Sequence, residues 1–224
     1  MPRSRALLLV LAVGAPLSCA ATTATREPSV PDRSAFVETV SLIGDSATAL
    51  VGWRTFEQPD YEVLREDGAF ELRAYASFDV ARTTDDGGES GAFGRLFRYL
   101  SGANAREAKV AMTAPVLMDR GGDATTMAFV LPRRYTTDTA PAPADASIAM
   151  ETEPAATWAT IRFAGTLSEE RVADRTAALR AWIASSGAEA VGEPLVAGYD
   201  PPYTLPPLRR NEVWIRVRDG QPVD

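Results

Sequence analysis

YEVLREDGAFELRAY, Tyr61 to Tyr75, is the stretch on which the fold turns. YEVLRE (61–66) and FELRAY (70–75) are short runs rich in β-favouring residues, and Asp67-Gly68 stands between them. An Asp-Gly pair supplies the positive φ that a tight hairpin needs, so the two runs read as antiparallel neighbours. Working outward, Phe78 to Thr84 continues as a third strand and stops at Asp85-Asp86-Gly87-Gly88. A helix follows from Ser90 to Leu100, with Phe93, Leu96, Phe97 and Leu100 on one face and Gly102 as its stop. Two strands come next, Lys109–Met118 and Thr125–Leu131.

The second half repeats this plan. Ile148–Thr152 and Thr157–Phe163 read as strands, and Ser168 caps a helix running to about Ser186. Glu169 and Glu170 in its first turn suit the helix dipole. Val172, Leu179, Trp182 and Ile183 form its apolar stripe, and Gly187 ends it. Strands at about 191–199 and 212–217 close the chain. Strand-strand-helix-strand-strand therefore occurs twice, which predicts an α+β domain: a curved antiparallel sheet carrying two helices.

Two segments break the regular pattern. KVAMTAPVLM (109–118) alternates Val110, Met112, Val116 and Met118, yet Pro115 removes a ladder donor and implies a sheet edge or a bulge. PPYTLPPLRRNEV (201–213) brackets Tyr203 and Leu205 with proline pairs just before the last strand. Such a loop is stiff and partly apolar; it reads as a structural crossover capping the core, or as a preformed lip beside a cavity.

Composition narrows the chemistry. The 224 residues are 46% hydrophobic and 24% charged, as in a globular domain, with a net charge of −7. An acidic chain is a poor prospect for nucleic acid or anionic lipid. There is no histidine, which removes the general base of Ser-His-Asp and Cys-His catalysis and the usual haem ligand. The single cysteine cannot build a structural zinc site or an intramolecular disulfide.

That cysteine, Cys19, belongs to the leading segment MPRSRALLLVLAVGAPLSCA. Arg3 and Arg5 precede an apolar run too short to span a bilayer, the pattern of an export signal over residues 1–19. Leu17-Ser18-Cys19 resembles a lipoprotein box with Cys19 as the acylated residue, while Ser18-Cys19-Ala20 also suits ordinary cleavage. The lone thiol favours the lipoprotein reading, with localisation in the cell envelope or periplasm. Residues 20–33 read as a flexible tether, 34–58 as a helical segment, 59–218 as the folded domain and 219–224 as a tail.

Spacing alone offers few chemical groups. Met112 is an adaptable apolar contact, or core filler. Arg95 and Arg98, with Tyr99 near them, lie off the helical stripe and are suited to a carboxylate or phosphate, or to solvent. GGESGAFG (87–94) lacks the order of a dinucleotide loop. Asp85-Asp86 reads as turn chemistry and Glu169-Glu170 as helix capping, so no catalytic pair emerges.

The segments together resemble the SOUL haem-binding family. The carriers are the 61–64 and 70–75 strands, Ala92 to Asn104, Val110-Ala111-Met112-Thr113-Ala114-Pro115-Val116, Phe129 to Tyr135 and Pro201 to Val213. The resemblance implies a distorted antiparallel β-barrel with two flanking helices, built from two similar strand-strand-helix-strand-strand halves. It also implies non-covalent binding of haem or a related tetrapyrrole in an apolar cleft; with no histidine in the chain and no catalytic constellation, that site would have no axial histidine and no enzymatic activity is expected. Under it, Phe93, Phe97 and Met112 would line the cleft, Arg95 or Arg98 would meet a propionate, and Tyr99, Tyr203 or Met112 would be the weak iron ligands available. The partner is then the tetrapyrrole, with no nucleic acid, and with the membrane reached only through a lipid on Cys19. The competing expectations are an envelope interaction domain for a peptide or lipid, and a tetrapyrrole-modifying enzyme.

Overall fold

In the computed structural model, residues 56–85, 88–122 and 124–218 are described. The export signal, the tether, most of the 34–58 segment and the 219–224 tail lie outside them. Among the described residues nine strands form one sheet: β1 (Tyr61–Asp67), β2 (Phe70–Tyr75), β3 (Phe78–Asp85), β4 (Val116–Asp119), β5 (Thr125–Val130), β6 (Ala149–Glu153), β7 (Ala156–Phe163), β8 (Glu189–Gly198) and β9 (Asn211–Arg218). Two helices accompany them, α1 (Glu89–Leu100) and α2 (Glu169–Ser185). Every strand pairing is antiparallel, in the order β1-β2-β7-β9-β8-β4-β5-β3-β6.

The hairpin forms where the sequence places it, one residue later than the Asp67-Gly68 turn. Asp67 pairs with Phe70, so Gly68 and Ala69 make the two-residue loop, and Gly68 adopts φ +62°. Leu64 is the extra residue of a bulge between Val63 and Arg65.

Duplication is visible in the pairings. Mapping β2, β3, β4 and β5 onto β6, β7, β8 and β9 turns β2-β7 into β6-β3, β3-β5 into β7-β9, and β4-β5 into β8-β9. The β4-β8 pair maps onto itself, so a pseudo-two-fold axis passes between these two strands. β1 stands outside the repeat.

Among the described residues the expected barrel is not closed by backbone pairing, because β1 and β6 both remain edges. The sheet is nonetheless strongly coiled. Strands far apart in its order, β2, β3, β5, β7 and β9 among them, send Tyr75, Val80, Ala128, Trp158 and Trp214 into one buried cluster to which neither helix contributes. Arg216 of β9 reaches across to Glu153 of the edge strand β6 at 3.4 Å, and Glu153 is also paired with Arg82 of its ladder neighbour β3. A side-chain ion pair therefore joins β6 to β9, two strands that share no ladder pairing.

The opposite face carries the helices. α1 rests on β3 and β5 through buried Ala92, Leu96, Tyr99 and Leu100; α2 rests on β7, β8 and β9 through Leu179, Trp182 and Ile183. Burying each leucine is worth about 1.5–3 kcal/mol. Two expectations need correcting. The α1 stripe runs through Ala92 and Tyr99 rather than Phe93 and Phe97, which are 36% and 51% exposed. The strand expected over 109–118 is confined to Val116–Asp119. Pro115 follows a cis Ala114–Pro115 bond and has no N–H to give, so the ladder begins just after it. Upstream, Thr113 makes only an isolated bridge to Glu57.

Candidate functional site

The coil interior is filled and electrostatically closed. Glu212, 0% exposed at the start of β9, accepts from Arg73 Nη1 and Nη2 at 2.8 and 3.1 Å and from Arg210 Nε and Nη2 at 2.8 and 2.6 Å. Tyr199 Oη and Trp214 Nε1 donate to the same carboxylate at 2.9 and 2.7 Å. Burial pushes Glu212 up, but the hydrogen bonds and charge of Arg73, with Arg210 behind them, hold it at about 2. Burial lowers Arg73, and its bonds to Glu212 more than reverse that, so its net shift is upward. Burial raises the Tyr75 and Tyr199 hydroxyls. With six donors on one carboxylate and the aromatic rings of Tyr75, Trp158 and Trp214 packed around it, this network is a structural core.

The open space that α1 borders lies on the helix face. A groove of about 430 Å³ runs between α1 and the proline-rich loop that joins β8 to β9. Val116, Met118 and Met127 form its floor; Phe93 and Leu167 wall it, and Pro202, Arg209 and Asn211 form the far lip. The strand alternation that buries Leu117 toward the coil interior turns Val116 and Met118 to this side. Phe93 packs edge-on to Phe129 at 5.3 Å and stacks with Phe97 at 5.9 Å, which fixes an aromatic plane on the rim. The lip is pinned by Arg209, which donates from Nε to the Thr204 carbonyl at 2.8 Å and from Nη2 to the Pro202 carbonyl. Tyr203, Leu205 and Leu208 project outward from it, with Tyr203 57% exposed.

Of the residues singled out from sequence, Phe93 and the Pro201–Val213 loop meet at this groove, and Phe97 flanks it through its stack on Phe93. Tyr203 neighbours the lip residue Pro202 but points to solvent. Arg95 is committed elsewhere, paired with Asp85 at 2.9 Å and Asp145 at 3.4 Å. Arg98 is exposed on α1, outside the groove wall. Met112 is half-buried and packs on the α1 core cluster rather than in the groove. Tyr99 is buried at 1% exposure, so it belongs to the core and not beside Arg95 and Arg98. Met118 takes the place in the cleft that the resemblance implies for Met112. Met127, Leu167 and Arg209 escaped the reading, and only the Arg209-Arg210 pair carried any signal. Among the described residues, no cluster of three or more His, Cys, Asp or Glu could hold a metal ion.

Known proteins place this arrangement. Residues 56–216 match the SOUL heme-binding protein family. Heme-binding protein 1 of Xenopus tropicalis is 31% identical over 159 residues, covering 68% of this chain and 83% of that protein. Heme-binding protein 1 of Bos taurus is 29% identical over 161 residues, covering 69% and 83%. Among solved structures, the EcmrR C-terminal domain superposes with a TM-score of 0.50 at 14% identity, covering 71% of this chain and 98% of that domain. A hydrolase from Listeria innocua does so with a TM-score of 0.51 at 10% identity, covering 69% and 94%; at these identities the likeness is one of fold. The chain belongs to the SOUL heme-binding protein family.

Proposed function

We propose that this protein binds haem or a related tetrapyrrole non-covalently in the groove between α1 and the proline-rich lip. The observation that carries the reading is the wall itself: an ordered aromatic plane at Phe93 and a floor of Val116, Met118 and Met127, with the Arg209 cation at the lip. Apolar faces of a macrocycle suit Phe93, Leu167 and the two thioethers; a propionate suits Arg209. The wall offers no imidazole or thiolate, so the residues fit a macrocycle held by its faces rather than by its metal. When bound, haem would bring its iron to the site, while the protein's own contribution is enclosure, orientation and exclusion of water. Burying a few hundred Å² at about 25 cal/mol/Å², less association costs of similar size, leaves affinity in the micromolar range, on the order of −8 kcal/mol.

Equilibrium titration with haemin and with iron-free protoporphyrin tests this. Similar affinities are expected, and Phe93→Glu should weaken both. A sharp Soret shift that appears only with iron, at much tighter affinity, would show ligation and overturn the face-held reading.

Binding and carriage, rather than catalysis, is the accompanying proposal. A chain with no histidine, whose buried Glu212 is held by six donors, offers little acid–base chemistry. Incubating haem-loaded protein with a reductant should leave the pigment unchanged. Export to the cell envelope with lipid on Cys19 is supported by the leading basic and apolar segment, and mass spectrometry of the native N-terminus checks it. The outward Tyr203, Leu205 and Leu208 favour a second reading, a lip that receives a hydrophobic peptide or lipid. Porphyrin titrations that show no binding would favour it.

A further inference from the structure

A second groove, of about 460 Å³, adjoins the first on the α2 side. Val172, Ala173 and Ala177 of α2 wall it, Pro194 and Val196 of β8 floor it, and Arg120 of the β4–β5 turn closes its end. The two floors are one ladder. Met118 of the first groove is the register partner of Val196 in the second, and Val116 is the partner of Gly198. The pseudo-two-fold that exchanges α1 with α2 and β4 with β8 also exchanges the β8–β9 loop with the β4–β5 turn. It therefore carries the first groove onto the second.

Arg120 divides them. Its Nη2 pairs with Glu89 at 2.5 Å and its Nη1 donates to the Leu167 carbonyl at 3.1 Å, and both of those residues line the first groove. Its Nε is buried and has no hydrogen-bond partner among the described residues. A guanidinium held this way spans the trough with its buried Nε donor idle, against a glutamate 44% exposed and free to swing to water. Size points the same way. Ligand pockets occupy about 300–1,000 Å³, so either groove alone is modest for a tetrapyrrole and the pair is ample.

We propose that the ligand site is the whole trough. The macrocycle spreads over both floors, and Arg120, at the junction, exchanges Glu89 for a ligand carboxylate that also satisfies Nε. This rests on the reading of the first groove as a tetrapyrrole site.

Ala173→Trp and Ala177→Trp fill the second groove from exposed helix positions without touching Phe93 or Arg209. Fluorescence titration of the full chain with protoporphyrin should show each variant binding at least about tenfold more weakly, with an unchanged melting midpoint. Wild-type affinity in both, beside lost binding in Phe93→Glu, overturns the extension and leaves the first-groove reading standing. Wild-type affinity in all three overturns both. Arg120→Met, titrated with protoporphyrin and with its dimethyl ester, reads the exchange: about tenfold weaker for the acid and unchanged for the ester is expected. Equal effects on the two ligands overturn it.

Discussion

Replacing Glu212 with glutamine keeps the shape of the β9 side chain but removes the charge on which Arg73 and Arg210 converge. Breaking one partner of a buried ion pair typically costs about 3–5 kcal/mol, a large share of the roughly 5–15 kcal/mol that holds a domain folded. The dependence on pH is more diagnostic. Glu212 sits at about 2 in the fold against an ordinary value of 4.5, so the unfolded chain takes up its proton first on acidification. Its stabilising contribution is complete above about 4.5, declines as pH falls, and is gone below about 2. At about 1.36 kcal/mol per pH unit of separation it amounts to roughly 3 kcal/mol, of which about 2 kcal/mol is lost by pH 3. Urea unfolding from pH 7 to 3, followed by the fluorescence of buried Trp158, Trp182 and Trp214, measures it. The gap in stability between wild type and Glu212→Gln should narrow steadily below about pH 5. A gap that stays constant over that range would refute the account of Glu212 as an ionised, charge-compensated core residue.

Three further outcomes are expected. Phe93→Ala should weaken protoporphyrin binding about tenfold, whereas Phe97→Ala, which removes only the stacking partner worth about 0.5–1.5 kcal/mol, should cost less; fluorescence titration ranks them. Tyr99→Phe deletes a buried hydroxyl that has no partner among the described residues, so its melting midpoint should hold or rise, and a fall equivalent to more than about 1 kcal/mol would reveal a hydrogen bond. Gly68→Ala meets no neighbouring atom but must adopt φ +62°, so a loss of about 1–2 kcal/mol in urea unfolding with unchanged porphyrin binding is expected.

Local chemistry explains what could be read in the sequence. The hairpin around Gly68, the α2 stripe through Leu179, Trp182 and Ile183 and the strand-strand-helix-strand-strand repeat are each written in local sequence, and each is present in the fold, the hairpin loop one residue later than Asp67-Gly68. Phe93 was legible as a large apolar residue on a helix, but not its exposure, because that depends on which strands α1 covers. Met112 and Met118 look alike in an alternating run; only the proline between them, which delays the start of β4, decides that Met118 floors the groove. Leu167 and Arg209 join Phe93 from parts of the chain more than seventy residues away, and nothing in their own neighbourhoods announces the meeting. The curved antiparallel sheet with two helices follows from the duplication, whereas the barrel that the resemblance implies is not closed among the described residues, because β1 lies outside the repeat and leaves two rims.

Those rims have a bearing on handling and storage. An unpaired strand is a template on which another chain can add, and both rims here are guarded against it: β1 by its bulge and by Glu62, Glu66 and Asp67, β6 by Glu151 and Glu153 with Pro154 next. Five of these guards are carboxylates. High salt screens such exposed charges, so in concentrated brines the hazard is growth of filaments from still-folded molecules.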